Sequence, residues 1–186
     1  ADGIPTSMNA AGDRLAIGAY QNNGIDAGHV RIYEWTGTTW MQLGADIDGE
    51  AAGDDSGEGV SMNDAGDRVA VGASENAGNG SYSGHVRIYD WNGTAWIQLG
   101  ADIDGEAAGD GSGWSVSINA TGDRVAIGAP YNAGNGIDAG HVRIYYWTGT
   151  GWIQLGADID GEAAGDDSGW TVSMNDAGDR VAITAR

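Results

Sequence analysis

The sequence of 186 residues contains no cysteine and no phenylalanine, and it has only two prolines. Without cysteine, neither a disulfide framework nor a thiolate metal site can form. The chain also lacks an apolar run of membrane-spanning length, and its first residues have neither the basic start nor the apolar core of a signal peptide. We therefore expect no membrane insertion.

Positive charge is scarce as well. All 8 basic residues are arginine, against 27 acidic residues, which gives a net charge of −19. Phosphate contacts need clustered lysine and arginine, so this balance argues against binding to nucleic acid. Cations are the natural partners of such a surface. An aspartate-rich surface without lysine also resembles those of proteins from salty water, where salt screens self-repulsion, so we expect a marine or saline environment.

Glycine is abundant, with 34 residues, and the chain is an internal repeat. His29, His85 and His141 are 56 residues apart, and several tryptophans and aspartates keep the same interval. The one shorter interval places a two-residue deletion in the first repeat between Gln21 and Ala27, which indicates a surface loop. We expect a single repeat domain over residues 1–186, with repeats at about 1–56, 57–112 and 113–168 and a half-repeat at 169–186.

Each repeat contains four short runs typical of β-strands, separated by turns rich in glycine, asparagine and aspartate. This pattern predicts an all-β fold, a β-propeller of four-stranded antiparallel blades with three blades and a terminal hairpin, 14 strands in all. The expected strand positions are strand one near Ile4, Val60 and Val116, strand two near Leu15, Val69 and Val125, strand three from the histidines, and strand four from Trp40, Trp96 and Trp152.

The strands alternate between large and small side chains. In strand two of the third repeat, Val125 and Ile127 oppose Ala126 and Gly128, and in strand one Trp114 is expected on the bulky side. A sheet with one bulky and one shallow face can nest against copies of itself on both sides. This pattern therefore favours stacked blades over a sandwich with one solvated face.

Several recurring motifs resemble one known family. They are DDSGW followed by (S/T)VS(M/I)N, then RVAIGAP, then GHVRIY, then WxQL, in the same order in successive repeats. This series resembles the FG-GAP repeat, the blade of integrin α-type propellers, and Gly128-Ala129-Pro130 matches the GAP element. The resemblance implies a non-enzymatic extracellular or cell-surface protein for adhesion, ligand recognition or building an external assembly.

The chain departs from the FG-GAP pattern in four respects. Phenylalanine is absent, the GAP element is altered in the other repeats, and Glu58 stands where the later repeats have tryptophan. The turn between strands one and two reads NDAGD or NATGD instead of a calcium loop. The resemblance is therefore to the branch of the family without that loop.

The most repeated acidic motif is ADIDGEAAGD. Carboxylates at alternate positions before a glycine are typical of oxygen-rich calcium sites, so the motif is a candidate Ca²⁺ loop. The alternative is a solvated turn whose acids cap backbone amides. The candidate ligands in the three copies are Asp46, Asp48, Glu50, Asp54, Asp102, Asp104, Glu106, Asp110, Asp158, Asp160, Glu162 and Asp166.

Nothing in the sequence forms a catalytic set that belongs to one repeat alone. One histidine per repeat places the three on a ring, so a shared zinc site is not expected and each histidine is interpreted as structural. Every candidate acid or nucleophile occurs in all copies, whereas an active site usually breaks such symmetry. Glu58 is the clearest change near a motif that is specific to one copy. The chain is predicted not to be an enzyme.

The repeated tryptophans support a rival function. Trp40, Trp96 and Trp152 are candidate sugar-stacking platforms of a propeller lectin, and the alternative is packing at blade edges with the indole N–H on a turn carbonyl. Propellers close with about 4 to 8 blades, so three blades and a hairpin leave apolar faces and an unpaired edge. We expect a head-to-tail oligomer or filament of copies of the chain, or further repeats of a longer protein.

Overall fold

In a computed structural model, residues 4–21 and 27–186 are described, and these contain only strands and turns. The shortened first-repeat loop predicted within 21–27 lies mostly outside them. The strands are β1 (Thr6–Met8), β2 (Arg14–Gly18), β3 (His29–Trp35), β4 (Trp40–Gln42), β5 (Ile47–Asp48), β6 (Gly59–Met62), β7 (Arg68–Ala73), β8 (His85–Trp91), β9 (Trp96–Gln98), β10 (Ile103–Asp104), β11 (Ser115–Ile118), β12 (Arg124–Ala129), β13 (His141–Trp147), β14 (Trp152–Gln154), β15 (Ile159–Asp160), β16 (Thr171–Met174) and β17 (Val181–Thr184).

The strands form three antiparallel sheets of the same topology and one hairpin. In the first sheet the order is β1-β2-β3-β4, with β5 also paired to β3. The second sheet repeats this order with β6 to β10, and the third with β11 to β15. The last two strands, β16 and β17, pair with each other. The three predicted blades and the terminal hairpin are therefore confirmed.

The fourth strand of each blade differs from the prediction because it is interrupted. The Leu43 N–H still donates to the Ile32 carbonyl at 2.7 Å, but Gly44 then takes a positive φ of 83° and the chain leaves the sheet. It returns at β5, where Val30 pairs with Ile47. This break gives 17 strands instead of 14. Strand one of the first blade also begins at Thr6, two residues after the predicted Ile4.

The predicted nesting of bulky and shallow faces is confirmed. Between the second and third blades, Val116, Ile118 and Ile127 pack in one buried cluster with Ala70 and Ile88 of the preceding blade. Equivalent residues form the cluster between the first and second blades. Each cluster therefore lies between two sheets.

The first strands of successive blades lie side by side. The Ser61 hydroxyl accepts a 3.0 Å hydrogen bond from the Ile118 N–H of the next blade, and Ser7 and Ser117 make the same contact with their following blades. Gly72 is needed at this junction, because a Cβ there would overlap the Gly113 carbonyl group. The blades consequently follow one another around a common centre with their first strands innermost.

No helix in the described part of the chain is long and apolar enough to cross a membrane.

Candidate functional site

The acidic motif does not fold as a single loop. Asp48 lies in β5, and its backbone carbonyl accepts a 2.9 Å hydrogen bond from Arg87 of the next blade. Asp54 accepts the N–H groups of Glu50 and Ala51 at 3.2 and 2.9 Å, so it caps a turn. Asp110 and Asp166 cap the corresponding turns. The geometry at these positions matches the capping alternative, and calcium binding remains a prediction.

The structure instead brings acids of consecutive repeats together around a histidine. Glu50, His85 and Asp102 offer three ligand atoms that lie within 4.8 Å of one another, and Glu106, His141 and Asp158 repeat the arrangement one blade later. The His85 Nδ1 atom lies 3.7 Å from an Asp102 carboxylate oxygen. We call these two groups the inter-blade clusters. Sequence spacing did not reveal them because the glutamate comes from the preceding blade.

The inter-blade clusters also contain an arginine. The Arg87 guanidinium lies 3.4 Å from Glu50, and its neighbouring charge already balances that carboxylate. Burial lowers the pKa of His85 below its ordinary value, and the Arg87 charge lowers it further, against the opposing effect of Asp102. A neutral imidazole and two carboxylates form a donor set suited to a divalent cation, but the guanidinium competes for one of them.

Two of the three candidate sugar-binding tryptophans lie between blades. The Trp96 indole N–H donates to the Leu43 carbonyl of the preceding blade at 2.9 Å, and Trp152 makes the same bond to Leu99. Trp40 belongs to the first blade and is exposed. The predicted edge packing therefore describes Trp96 and Trp152, while Trp40 presents its ring to solvent.

A cleft of about 280 Å³ lies at the junction of the second and third repeats. Its residues come from the loop between β7 and β8, from the segment between β10 and β11, and from the loop after β12. Its lining residues, which define what we call the aromatic cleft, are Ser74, Glu75, Tyr82, Gly109, Gly111, Trp114 and Tyr131.

Most positions that line the aromatic cleft differ between repeats. Tyr82 stands where the next repeat has Asp138, Tyr131 where the second repeat has Glu75, and Gly111 where the first and third repeats have aspartate. The substitutions fit one another in space, because a Cβ on Gly111 would lie 3.0 Å from the Tyr131 ring. The glycine therefore makes room for the tyrosine.

Tyr82 has an unusual backbone conformation. Its φ is +58°, in the left-handed region that favours glycine, asparagine and aspartate, and its side chain is 55% exposed. Asp138 has a φ of +53° at the same point of the next repeat. The backbone is thus a common feature of the repeat, and placing a bulky tyrosine on it stores strain at the cleft.

The aromatic rings meet at steep angles. Trp114 and Tyr131 have ring centroids 5.7 Å apart with their planes at 79°, so they form a corner. Trp170 packs against both rings, with its centroid 4.7 Å from that of Trp114 and 6.3 Å from that of Tyr131. The Arg186 guanidinium lies over the Trp170 ring, 4.5 Å from its centroid. Trp114 was predicted as part of strand one, but β11 begins at Ser115, and Trp114 lines this cleft.

The surroundings of the cleft are acidic. Partial burial raises the pKa of the Tyr131 hydroxyl, and Asp167, Glu58 and Asp138 raise it further by their negative charge, while Arg186 opposes them. Glu58 accepts a hydrogen bond from the Ser74 hydroxyl. Sequence reasoning singled out Glu58 but missed the tyrosines, whose signal was their departure from the repeat.

Comparison with known proteins supports the fold. No protein-family model and no curated protein matches the chain. It is similar to hydrazine synthase of Kuenenia stuttgartiensis, with 11% identity, a TM-score of 0.56 and coverage of 95% of this chain and 40% of that one. It is also similar to a Bacteroides uniformis structure assigned as a 6-phosphogluconolactonase, with 9% identity, a TM-score of 0.63 and coverage of 96% and 46%.

The chain therefore spans less than half the length of these two solved structures. Identities of 9 to 11% carry information about the fold alone. These structural matches, the repeated four-stranded sheets and the innermost position of the first strands together identify the architecture as a β-propeller.

Proposed function

We propose that this chain is a non-enzymatic β-propeller module that recognises a ligand through the aromatic cleft, outside the cell or at its surface. The observation that carries the proposal is that three departures from the repeat, Tyr82, Gly111 and Tyr131, meet in one cleft. A fold needs none of these departures, since the other repeats form the same backbone without them. The resemblance to FG-GAP repeats supports the extracellular setting, which stays a prediction.

Strain at the cleft also supports recognition. A tyrosine at positive φ costs of order 1–3 kcal/mol, and such costs cluster at ligand sites. Aspartate at the equivalent position of the next repeat holds the same conformation at lower cost. A side chain retained against this cost, in the wall of a cleft, is better explained by a ligand than by folding.

The ionisable groups support a role without catalysis. The inter-blade clusters occur twice with the same residue types, Glu50 with His85 and Glu106 with His141, at successive junctions. A cluster that recurs at successive junctions is explained by its role in packing one blade against the next. An active site instead needs one arrangement that differs from the rest. The likeness to two enzyme chains extends to the fold alone.

The test is to make the cleft resemble its copies. A triple variant with Tyr82→Asp, Gly111→Asp and Tyr131→Glu installs the residues that the other repeats carry, so we expect it to fold. Wild type and variant are compared on glycan and small-molecule panels. Recognition at the cleft predicts binding that the variant loses while its melting curve remains cooperative. Binding that depends instead on Trp40 would support the lectin alternative, and equal binding by both proteins would refute a role for the cleft.

A second candidate function is assembly through the end faces of the propeller. Arg31 of the first blade is 45% exposed and turns back to Asp46, whereas its copy Arg87 is 7% exposed and reaches the preceding blade. At the other end, Ile159 is 40% exposed where Ile103 is 5% exposed. Both faces therefore present residues that adjacent blades bury elsewhere in the chain. We propose that further blades, from a second copy or from further repeats, cover them.

Light scattering on the 186-residue chain tests assembly. We expect association that depends on concentration. Arg31→Glu places a negative charge beside the acids of an incoming blade and should weaken association, while Arg14→Glu, which lies within a junction of the same chain, should act on stability instead. A stable monomer at all concentrations would contradict assembly by copies of this chain.

A further inference from the structure

We propose that the ligand of the aromatic cleft carries a quaternary or methylated ammonium group. This inference rests on the recognition function proposed above and names its ligand class. It follows from three properties of the cleft: the arrangement of its rings, the charge around them, and the commitment of its Ser74 hydroxyl and glycine N–H groups to the protein.

The rings form the walls. Trp114 and Tyr131 stand at 79° to each other, and Tyr82 lines the same cavity from the preceding blade. Gly109 and Gly111 line the same cavity and place no side chain in it. A cation held close to several aromatic faces is attracted by the negative charge density of each face, and cages of this kind bind quaternary ammonium groups.

The charge around the rings has the right sign. Glu75 is exposed at the lining, and the negative charges of Asp167, Glu58 and Asp138 act on Tyr131 against the opposing charge of Arg186. The chain as a whole carries a net charge of −19. An anionic ligand would be repelled, and a neutral ligand would gain nothing from this field, whereas a cation is attracted.

The Ser74 hydroxyl and the N–H groups of the two lining glycines are committed to the protein, while the Glu75 carboxylate is exposed. The Ser74 hydroxyl donates to Glu58, the Gly109 N–H donates to Ser81 and the Gly111 N–H donates to Tyr82. A sugar brings many hydroxyl groups, and a guanidinium brings five N–H donors that need acceptors. A quaternary ammonium group has no donor to satisfy, so it is the cation that this lining suits best.

A neighbouring ring in the same aromatic group already holds a cation. The Arg186 guanidinium lies over Trp170, which is itself packed against Trp114. This contact lies next to the cleft, whose lining includes Trp114 and Tyr131 but neither Trp170 nor Arg186.

The test compares choline with 3,3-dimethylbutan-1-ol, in which carbon replaces the charged nitrogen without changing the shape. Both are titrated into the full chain by calorimetry and by tryptophan fluorescence. We expect choline to bind roughly tenfold tighter than the neutral analogue, because a partly desolvated cation–π site distinguishes them by charge. We also expect choline binding to weaken as sodium chloride is added.

Two neutral substitutions test the location. Tyr82→Asn removes one wall, and Gly111→Asn places a Cβ 3.0 Å from the Tyr131 ring; both positions have positive φ, which asparagine tolerates. Each should weaken choline binding at least several-fold. Tyr146→Asn is the matched control, since Tyr146 is also exposed and pairs with Arg124 at the opposite end of β13 from the cleft. It should bind choline like wild type.

The source of the ammonium group is tested with phosphocholine and with a trimethyllysine peptide. The acidic rim should make phosphocholine bind more weakly than choline, while the peptide should bind at least as well. Three results would overturn the assignment: no choline binding, equal binding of choline and its neutral analogue, or choline binding that Tyr82→Asn and Gly111→Asn leave unchanged. A ligand without an ammonium group that the triple variant fails to bind would leave the recognition function standing and remove only this ligand class.

Discussion

The indole nitrogen of Trp96 donates a 2.9 Å hydrogen bond to the backbone carbonyl of Leu43 in the preceding blade. The contact joins two sheets that no strand pairing connects. Trp91 and Trp96 together cover Gly44, where any side chain would meet the Trp91 ring. Hydrogen bonds between paired strands hold each blade together. Contacts such as the one between Trp96 and Leu43 hold the blades to one another.

Trp96→Phe should lower the free energy of unfolding by about 1–2 kcal/mol, because it leaves the Leu43 carbonyl without its partner. The matched control is Trp40→Phe, at the exposed equivalent position of the first blade, which should change it by less than about 0.5 kcal/mol. Urea unfolding of both variants measures the difference. Equal effects would mean that the inter-blade bond contributes nothing.

Gly72→Ala should be more damaging. Its new Cβ would overlap the Gly113 carbonyl group, so the second and third blades must move apart. Overpacking of this kind costs about 1–3 kcal/mol. Gly151→Ala has no neighbour within 4 Å and serves as the control, with little or no loss of stability expected. Similar melting temperatures for the two variants would contradict the close approach of the blades.

Removing the strain at the cleft should stabilise the protein. Tyr82→Asn replaces a bulky residue at a φ of +58° with one that tolerates this conformation, and we expect a gain of about 0.5–1 kcal/mol. Asp138→Asn at the equivalent position should be nearly neutral. Thermal unfolding measures both. A loss of stability in Tyr82→Asn would show that the tyrosine has a structural role and would weaken the argument for a ligand.

The buried histidines should make stability depend on pH. Burial holds the pKa of His85 and His141 below the ordinary value of 6.5 in the folded protein, so the unfolded chain binds more protons in this range. Their contribution to the free energy of unfolding is complete above about pH 6.5. It is lost as the pH falls through the pKa that the histidines have in the folded protein. The urea midpoint of the wild type should therefore be lower at pH 5.5 than at pH 7.5. The difference should be smaller in His85→Gln. An identical fall in both would exclude this histidine as the cause.

The repeat accounts for what the sequence predicted correctly. The interval of 56 residues between His29, His85 and His141 predicts the blades, and the alternation of Val125 and Ile127 with Ala126 and Gly128 predicts which face packs on which. These features depend on local strand geometry, which a single sequence encodes directly.

Other features depend on contacts between repeats. Glu50 meets His85 and Asp102 only because blades stack, and a repeat considered alone places these residues apart. The break in strand four at Gly44 required knowing that tryptophans of the next blade cover it. The aromatic cleft was not predicted, because the prediction was based on residues that recur in every repeat. Tyr82 and Tyr131 are informative because they differ from their counterparts in the other repeats.

Recognition of a ligand at the aromatic cleft can be followed directly. The chain has eight tryptophans, so nuclear magnetic resonance can follow eight indole N–H signals during titration with a ligand found on the panels. If the ligand binds at the cleft, the Trp114 and Trp170 signals shift first and saturate together, and Tyr82→Asn suppresses the shifts. Shifts confined to the exposed Trp35 and Trp40 of the first blade, with Trp114 unmoved at saturation, would contradict binding at the cleft.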